Sequence, residues 1–421
     1  MAGAPVYGGP TAGVTAVPFC ERLLLVVLYV AVLASSVAVI EPSPHDGLMG
    51  VLAVACVIAG VRFHRKLTLL FILLLIWNVS GLMSLLNVVG EEKTTTFAIT
   101  SLYLAVAALI WACLFAENTM MRLAVLRNAY ILTATIGALA GISGYLRAFP
   151  HAFEMFAHDG RALGMFKDPN VYAPFLIWPT LIIVERMLTR RIALRDIVVS
   201  GILLLALLLA FSRGAWFHFA VSGVAMAALC LATAPTMRAR LRIINLGVIA
   251  IVAMAGLVVV LLSIPSIGSM FTERAQLIQS YDVGEGGRFR LQELALGAVL
   301  QYPNGMGPFG FASTQTNQQH NVYLQGFLVY GWTGGIAYIL LVCSTLLIGL
   351  RTAFVRTPWQ PYAIVTFAVF VGEVAEGFII DSDHWRHFFL LLGLTWGLMV
   401  ATIKYVHPQQ VAAPIGRGFR A

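Results

Sequence analysis

Three arginines and one histidine carry most of the chemistry available to this sequence. Arg213 stands in Phe211-Ser212-Arg213-Gly214-Ala215-Trp216, a tight turn between two apolar runs. Arg288 and Arg290 follow the run Gly284-Glu285-Gly286-Gly287, and His320 closes Gln318-Gln319-His320 just before a long apolar stretch resumes. Guanidinium groups present forked donors that match phosphate oxygens. A histidine at a water–membrane boundary has the near-neutral pKa that suits a general base. Each residue also has an ordinary reading. Arg213 could snorkel or partner Trp216, Arg288 and Arg290 could be solvated loop residues, and His320 could be an interfacial histidine making one hydrogen bond. Alternate residues on a regular helix do not share a face, so Arg288 and Arg290 reach one ligand only from a frayed or extended lead-in.

Other residues have weaker claims. Arg161 and Lys167 belong to a cationic loop, 147–170, and are candidate substrate contacts by charge alone. Asp168, in Lys167-Asp168-Pro169-Asn170, reads as a helix cap. Asp381, Asp383 and His384 resemble metal ligands in type, but no second carboxylate–histidine cluster completes a site. A helix N-terminal turn facing a positive dipole accounts for them more simply. No metal and no cofactor is expected. Glu373 and Glu376 fall inside an apolar run, where a carboxylate is functional or paired with a cation, and they keep a proton-coupled transporter open. Five cysteines lie singly in or beside apolar runs, with no disulfide framework or metal spacing. Gly305-Met306-Gly307-Pro308-Phe309-Gly310 lacks the strand–helix context of a dinucleotide site. There is no Gly-x-Ser-x-Gly, P-loop or His-Glu-x-x-His, which leaves hydrolase, NTPase and zinc-protease readings without support.

The elements that must position these residues are membrane helices. Of the 421 residues, 59% are hydrophobic and 11% charged, against about 25% charged in soluble domains. The chain reads as an all-α polytopic membrane protein. About twelve transmembrane helices are predicted at 23–40, 47–61, 67–89, 96–116, 129–146, 171–187, 197–211, 215–232, 243–264, 321–350, 361–380 and 387–403. Met1–Phe19 contains no Lys or Arg, so the first apolar segment reads as a retained anchor rather than a cleaved signal peptide. With the N-terminus inside, 18 of the 27 Lys and Arg residues fall on the inner segments and 9 on the outer ones, as the positive-inside rule favours. That bias explains most of the net charge of +8 without nucleic acid. Both termini are then cytoplasmic: tail 1–22, helices 1–9 over 23–264, a periplasmic catalytic loop over 265–320 before helix 10, helices 10–12 over 321–403, and a polar, disordered tail over 404–421. The nine outer cations form a cationic mouth, which predicts a bound anion.

His320-Asn321, nine residues, then Gly331-Trp332-Thr333-Gly334 resembles the His-[Asn/Ser/Gln]-x9-Gly-x-x-Gly pattern of the bacterial O-antigen ligase family, and Arg290-Leu291-Gln292-Glu293-Leu294 resembles its Arg-x3-Leu motif. The Ser212-Arg213-Gly214 turn and the Asp168-Pro169-Asn170 lead-in are similar to the wider superfamily, which includes O-antigen and exopolysaccharide polymerases. The resemblance spans roughly 160–400. It implies an inner-membrane enzyme that takes a glycan from undecaprenyl diphosphate and joins it, with inversion and without metal or nucleotide, to a periplasmic acceptor hydroxyl on lipid A-core or another glycan. It also implies that Arg213, Arg288 and Arg290 bind the diphosphate, that His320 is the base or orients the hydroxyl, and that Gly331 and Gly334 let a helix pack closely on a neighbour. A ligase is favoured, a polymerase stands second, and a polysaccharide or lipid-linked sugar transporter is the alternative of a different class.

Overall fold

The computed structural model describes residues 17–88, 92–276, 286–315 and 317–407. The tail residues 1–16 and 408–421, and Gly284 and Glu285 of the glycine-rich run, lie outside the described residues.

Helices dominate. In chain order they are α1 (Phe19–Leu33), α2 (Pro44–Ile58), α3 (Thr68–Ser84), α4 (Glu92–Phe115), α5 (Thr119–Tyr145), α6 (Ala152–Phe156), α7 (Pro169–Phe175), α8 (Ile177–Thr189) and α9 (Leu194–Leu209). They continue as α10 (Arg213–Thr233), α11 (Met237–Leu262), α12 (Pro265–Ala275), α13 (Arg288–Gln301), α14 (Gly310–Thr314), α15 (Val322–Phe354), α16 (Gln360–Glu376) and α17 (Arg386–Val406). Among the described residues, nine segments are long and apolar enough to cross a membrane. The predicted spans at 47–61, 197–211 and 361–380 correspond to α2, α9 and α16, which at 15, 16 and 17 residues are not among those nine.

Two predicted features take a different form. The helix expected at 171–187 is divided at Leu176 into α7 and α8. Pro174 and Pro179 lie on either side of that break, and each lacks the N–H that would continue the helix. The Phe175 carbonyl, four residues before Pro179, instead accepts the Tyr130 hydroxyl at 3.1 Å. The loop expected over 265–320 contains helices α12, α13 and α14. Helix α13 buries Leu291, Ala295 and Val299 against Leu328 and Phe311, forming a small second core beside α15.

Helix α15 bends at Gly331, where φ is +68°. The bend seats the 303–306 segment: Trp332 N–H donates to Pro303 O at 2.8 Å and Met306 N–H to Leu328 O at 2.6 Å. A Cβ at Gly331 would stand 2.8 Å from Asn304 C. The glycine thus serves a left-handed bend that a loop plugs, whereas helix-on-helix contact was the expectation. Gly334 meets that expectation more closely, since a Cβ there would come within 3.1 Å of Ser80 on α3.

The main core runs through α3, α15, α16 and α17. Trp77 packs on Tyr330 at 4.9 Å and lies parallel to Phe389 at 6.1 Å between ring centroids. Three buried indole N–H groups donate to threonine hydroxyls: Trp178 to Thr366, Trp359 to Thr402 and Trp396 to Thr345, at 3.1, 2.9 and 2.9 Å. Near the other end, the Arg122 guanidinium grips Glu21 with two bonds of 2.9 and 2.8 Å and donates to Leu114 O at 2.7 Å.

Candidate active site

Four arginines line one open cleft. Arg161, Arg213, Arg274 and Arg288 line it together with Asn170, Ser212 and Glu376 and with the apolar Phe211, Trp216, Phe271 and Phe289, around about 1570 Å³ of space.

Local sequence places each of them. Arg161 opens a strand of a two-residue hairpin, β1 (Ala157–His158) against β2 (Arg161–Ala162), closed by Asp159-Gly160. Both turn residues have positive φ, +48° and +69°, as the Asp-Gly hairpin turn requires. The Arg161 guanidinium donates to Ala210 O at 2.9 Å and Asn170 Oδ1 at 2.7 Å, tying the hairpin to the ends of α9 and α7. Asp168 caps α7, its Oδ1 accepting the Asn170 N–H at 2.7 Å. Arg213 is the first residue of α10, after a left-handed Phe211 at φ +47° and the Ser212 cap. Its Nη1 donates to Gln276 O at 2.9 Å. Trp216 and Phe271 stack at 4.6 Å and hold α12 against α10, which brings Arg274 to the cleft.

Arg288 and Arg290 part company. Helix α13 starts at Arg288 itself, so two residues on is a rotation of about 200°. Arg288 faces the cleft, whereas Arg290 donates to Glu293 Oε2 at 2.6 Å on the exposed side of α13. The extended lead-in that would aim both at one ligand is absent. Lys167 is also outside the cleft and pairs with Glu41 at 3.0 Å. Arg386, counted with the outer cations, grips Asp46 with two bonds of 2.7 Å.

His320 stands just before α15 with a left-handed backbone, φ +49°. That conformation is costly for a residue with a side chain. The surroundings hold it there. Gln292 Nε2 on α13 donates to His320 O at 3.3 Å and to Phe378 O at 3.2 Å. Asn321 caps α15 through Oδ1 and donates its Nδ2 to Phe378 O at 3.2 Å. The half-exposed imidazole turns Nδ1 towards Asp381 Oδ2, 3.7 Å away. Asp381 Oδ1 in turn accepts the Asn321 backbone N–H at 2.9 Å.

Electrostatics differ at the two partners. Burial, then the nearby Arg288 cation, pulls the His320 pKa below the usual histidine value against the opposing pull of Asp168. Burial pushes Asp381 up to about 7; Asp383 adds to the rise, while the Asn321 N–H, Arg288 and His384 oppose it. The arrangement offers a base, a carboxyl beside it and a cationic cleft reached by the same Arg288.

Sequence reasoning counted Arg274 only among the nine outer cations and read Asp381 as a helix-start residue, naming neither as a site residue. Asp381 was expected in the first turn of the last helix, but α17 starts only at Arg386, which frees Asp381 to reach back to Asn321. Among the described residues no three His, Cys, Asp or Glu side chains are grouped to hold a metal ion.

Residues 198–339, from α9 into α15, match the family model described as O-antigen ligase. No curated protein matches the chain. The matched stretch contains Arg213, Arg274, Arg288, Arg290, His320, Gly331 and Gly334, while Arg161 and Asp381 lie outside it. The chain is thus a multi-pass membrane protein whose residues 198–339 are similar to the O-antigen ligase family.

Proposed function

We propose that this protein transfers a glycan from undecaprenyl diphosphate to an acceptor hydroxyl on the periplasmic side of the bacterial inner membrane, as an O-antigen ligase acting on lipid A-core. The observation that carries the proposal is the cleft itself: four arginines and a set of aromatic and aliphatic side chains line one open space, near a histidine–carboxylate pair. A diphosphate esterified to a long polyprenol has that same division between anion and apolar chain.

In this account Arg161, Arg213, Arg274 and Arg288 bind the diphosphate and stabilise the charge that grows on it as the glycosidic bond breaks. Arg290 and Lys167 stand at the periphery, each beside its own carboxylate. His320 Nε2 takes the proton of the acceptor hydroxyl, and Asp381 faces Nδ1 and stabilises the imidazolium that forms. The hydroxyl attacks the anomeric carbon opposite the leaving diphosphate, which inverts that centre. The apolar side of the cleft, with Phe271, Phe289, Ile379 and Ile380, takes the first isoprene units.

The test is reconstitution in liposomes with an undecaprenyl-diphosphate oligosaccharide, with and without lipid A-core. A shift of lipid A-core to a glycosylated form supports the ligase. A ladder of lengthening lipid-linked glycans made without the core acceptor would replace it with a polymerase. Movement of the donor across the bilayer with no new glycosidic bond would replace both with a transporter.

A further inference from the structure

Beneath the arginine cleft lies a pair of ionisable side chains that the transfer chemistry leaves unused. His218 on α10 and Glu376 on α16 are both fully buried, with His218 Nδ1 2.8 Å from Glu376 Oε2. The other ring nitrogen, Nε2, faces the Val369 carbonyl oxygen at 3.0 Å. A carbonyl only accepts, so Nε2 carries a hydrogen and a single further proton is held between Nδ1 and the carboxyl. A second buried pair, Glu373 and His387 at 3.4 Å, lies one turn earlier along α16 and does not line the cleft.

Glu376 does line it. Its second oxygen, Oε1, has no hydrogen-bond partner and lies against the Ser212-Arg213-Gly214 turn. A Cβ at Gly214 would stand 2.6 Å from that oxygen, so the close approach exists only because residue 214 is glycine. Going the other way along the chain, the residues just after Glu376 build the histidine side of the site. Gly377 O accepts the Val322 N–H at 2.9 Å, Phe378 O accepts from Gln292 and Asn321, and Asp381 reaches His320 and Asn321. One buried side chain therefore touches the turn that presents Arg213 and heads the loop that presents Asp381.

We propose that Glu376, held by His218, is a positioning residue that fixes the Arg213 turn and the Asp381 loop in one frame. It rests on the diphosphate assignment of the cleft. Neither residue touches the reacting atoms. The pair fixes the separation between the leaving group's cation and the base, and misplacement of about 1 Å in such a frame costs roughly a hundredfold in rate.

The test uses full-length protein, with undecaprenyl diphosphate binding measured in detergent and kcat and KM in liposomes. E376A and H218A are each expected to weaken undecaprenyl diphosphate binding and to lower kcat by about tenfold or more per folded molecule. The double variant is expected to be no worse than either single one, because both break one pair. E376Q keeps the shape and a hydrogen bond to His218, and is expected to recover to within about threefold of wild type. Losses that multiply in the double variant, an E376Q as impaired as E376A, or losses that vanish once corrected for folded protein would each overturn the proposal. If E376A does not accumulate, G214A takes its place. The added methyl pushes the carboxyl from the turn while leaving both partners present, and wild-type binding and kcat in G214A would overturn the proposal. Wild-type protein that fails to bind undecaprenyl diphosphate would instead overturn the assignment of the cleft, a result separable from all of these.

Discussion

Asp381 divides its carboxyl between two consecutive residues: Oδ2 lies 3.7 Å from His320 Nδ1 and Oδ1 accepts the Asn321 backbone N–H at 2.9 Å. One side chain thereby fixes both the imidazole and the start of α15. The Asp381→Asn variant keeps the size of the group and removes its charge. Its kcat is expected to fall by about ten- to a hundredfold, because the imidazolium loses its counter-charge. Donor KM should change little, since Asp381 does not line the arginine cleft. The check is steady-state kinetics in liposomes, with the thermal midpoint as a control for folding.

The pH profile follows from His320. With His320 as the proposed base, transfer needs its neutral form, so the rate is expected to rise with pH through the His320 pKa and then level off. Burial and Arg288 hold that pKa below the ordinary histidine value, while Asp381, raised to about 7, loses its charge first as the pH falls, so the acid limb begins near pH 7 and deepens below about pH 6.5. Removing the Arg288 cation in Arg288→Met lets the pKa rise, and the limb is expected to move to higher pH while donor binding weakens. A limb that stays in place, measured as kcat against pH, would separate Arg288 from His320.

The arginines should fall into two groups. Arg161→Ala, Arg213→Ala, Arg274→Ala and Arg288→Ala each remove a group that lines the cleft, and each is expected to weaken binding of undecaprenyl diphosphate by about tenfold or more. Arg290→Ala removes an exposed pairing with Glu293 and is expected to change binding by less than about threefold. Titration of each purified variant with the lipid checks the ranking.

Arg122 supports the fold at the opposite end of the bundle. It is 2% exposed, and its loss leaves Glu21 buried beside an empty space. Arg122→Ala is expected to destabilise the protein by about 3–5 kcal/mol, and the double change Arg122→Met with Glu21→Leu to recover most of it. Unfolding of the detergent-solubilised protein measures both.

The all-α, multi-pass character was legible in the sequence because length and hydrophobicity report membrane helices directly, and nine segments among the described residues are long and apolar enough to span. Residue type and position at the ends of apolar runs made His320 and Arg213 candidates with an ordinary reading beside each, and the family resemblance singled them out. What the sequence hid was rotation and reach. Arg290 could join Arg288 only from an extended lead-in, and the start of α13 at Arg288 sets the two on different faces. Asp381 looked like a helix-start residue because its bond to Asn321 crosses 60 positions, a separation no local pattern encodes. Arg161 had a readable cue, the Asp159-Gly160 hairpin turn, but its place beside Arg213 depends on the end of α9, whose Ala210 carbonyl it holds. Gly331 was recognised by spacing and assigned to helix contact, whereas its positive φ and the loop at 303–306 give it a different task.

The most direct measurement is a single-turnover transfer by His320→Ala, loaded with an undecaprenyl-diphosphate glycan in liposomes and supplied with acceptor. Loss of a general base is expected to lower the rate by about 10²–10⁴-fold, while the variant inserts normally and binds the donor as wild type does. Transfer by that variant at the wild-type rate would contradict the assignment of His320 as the base.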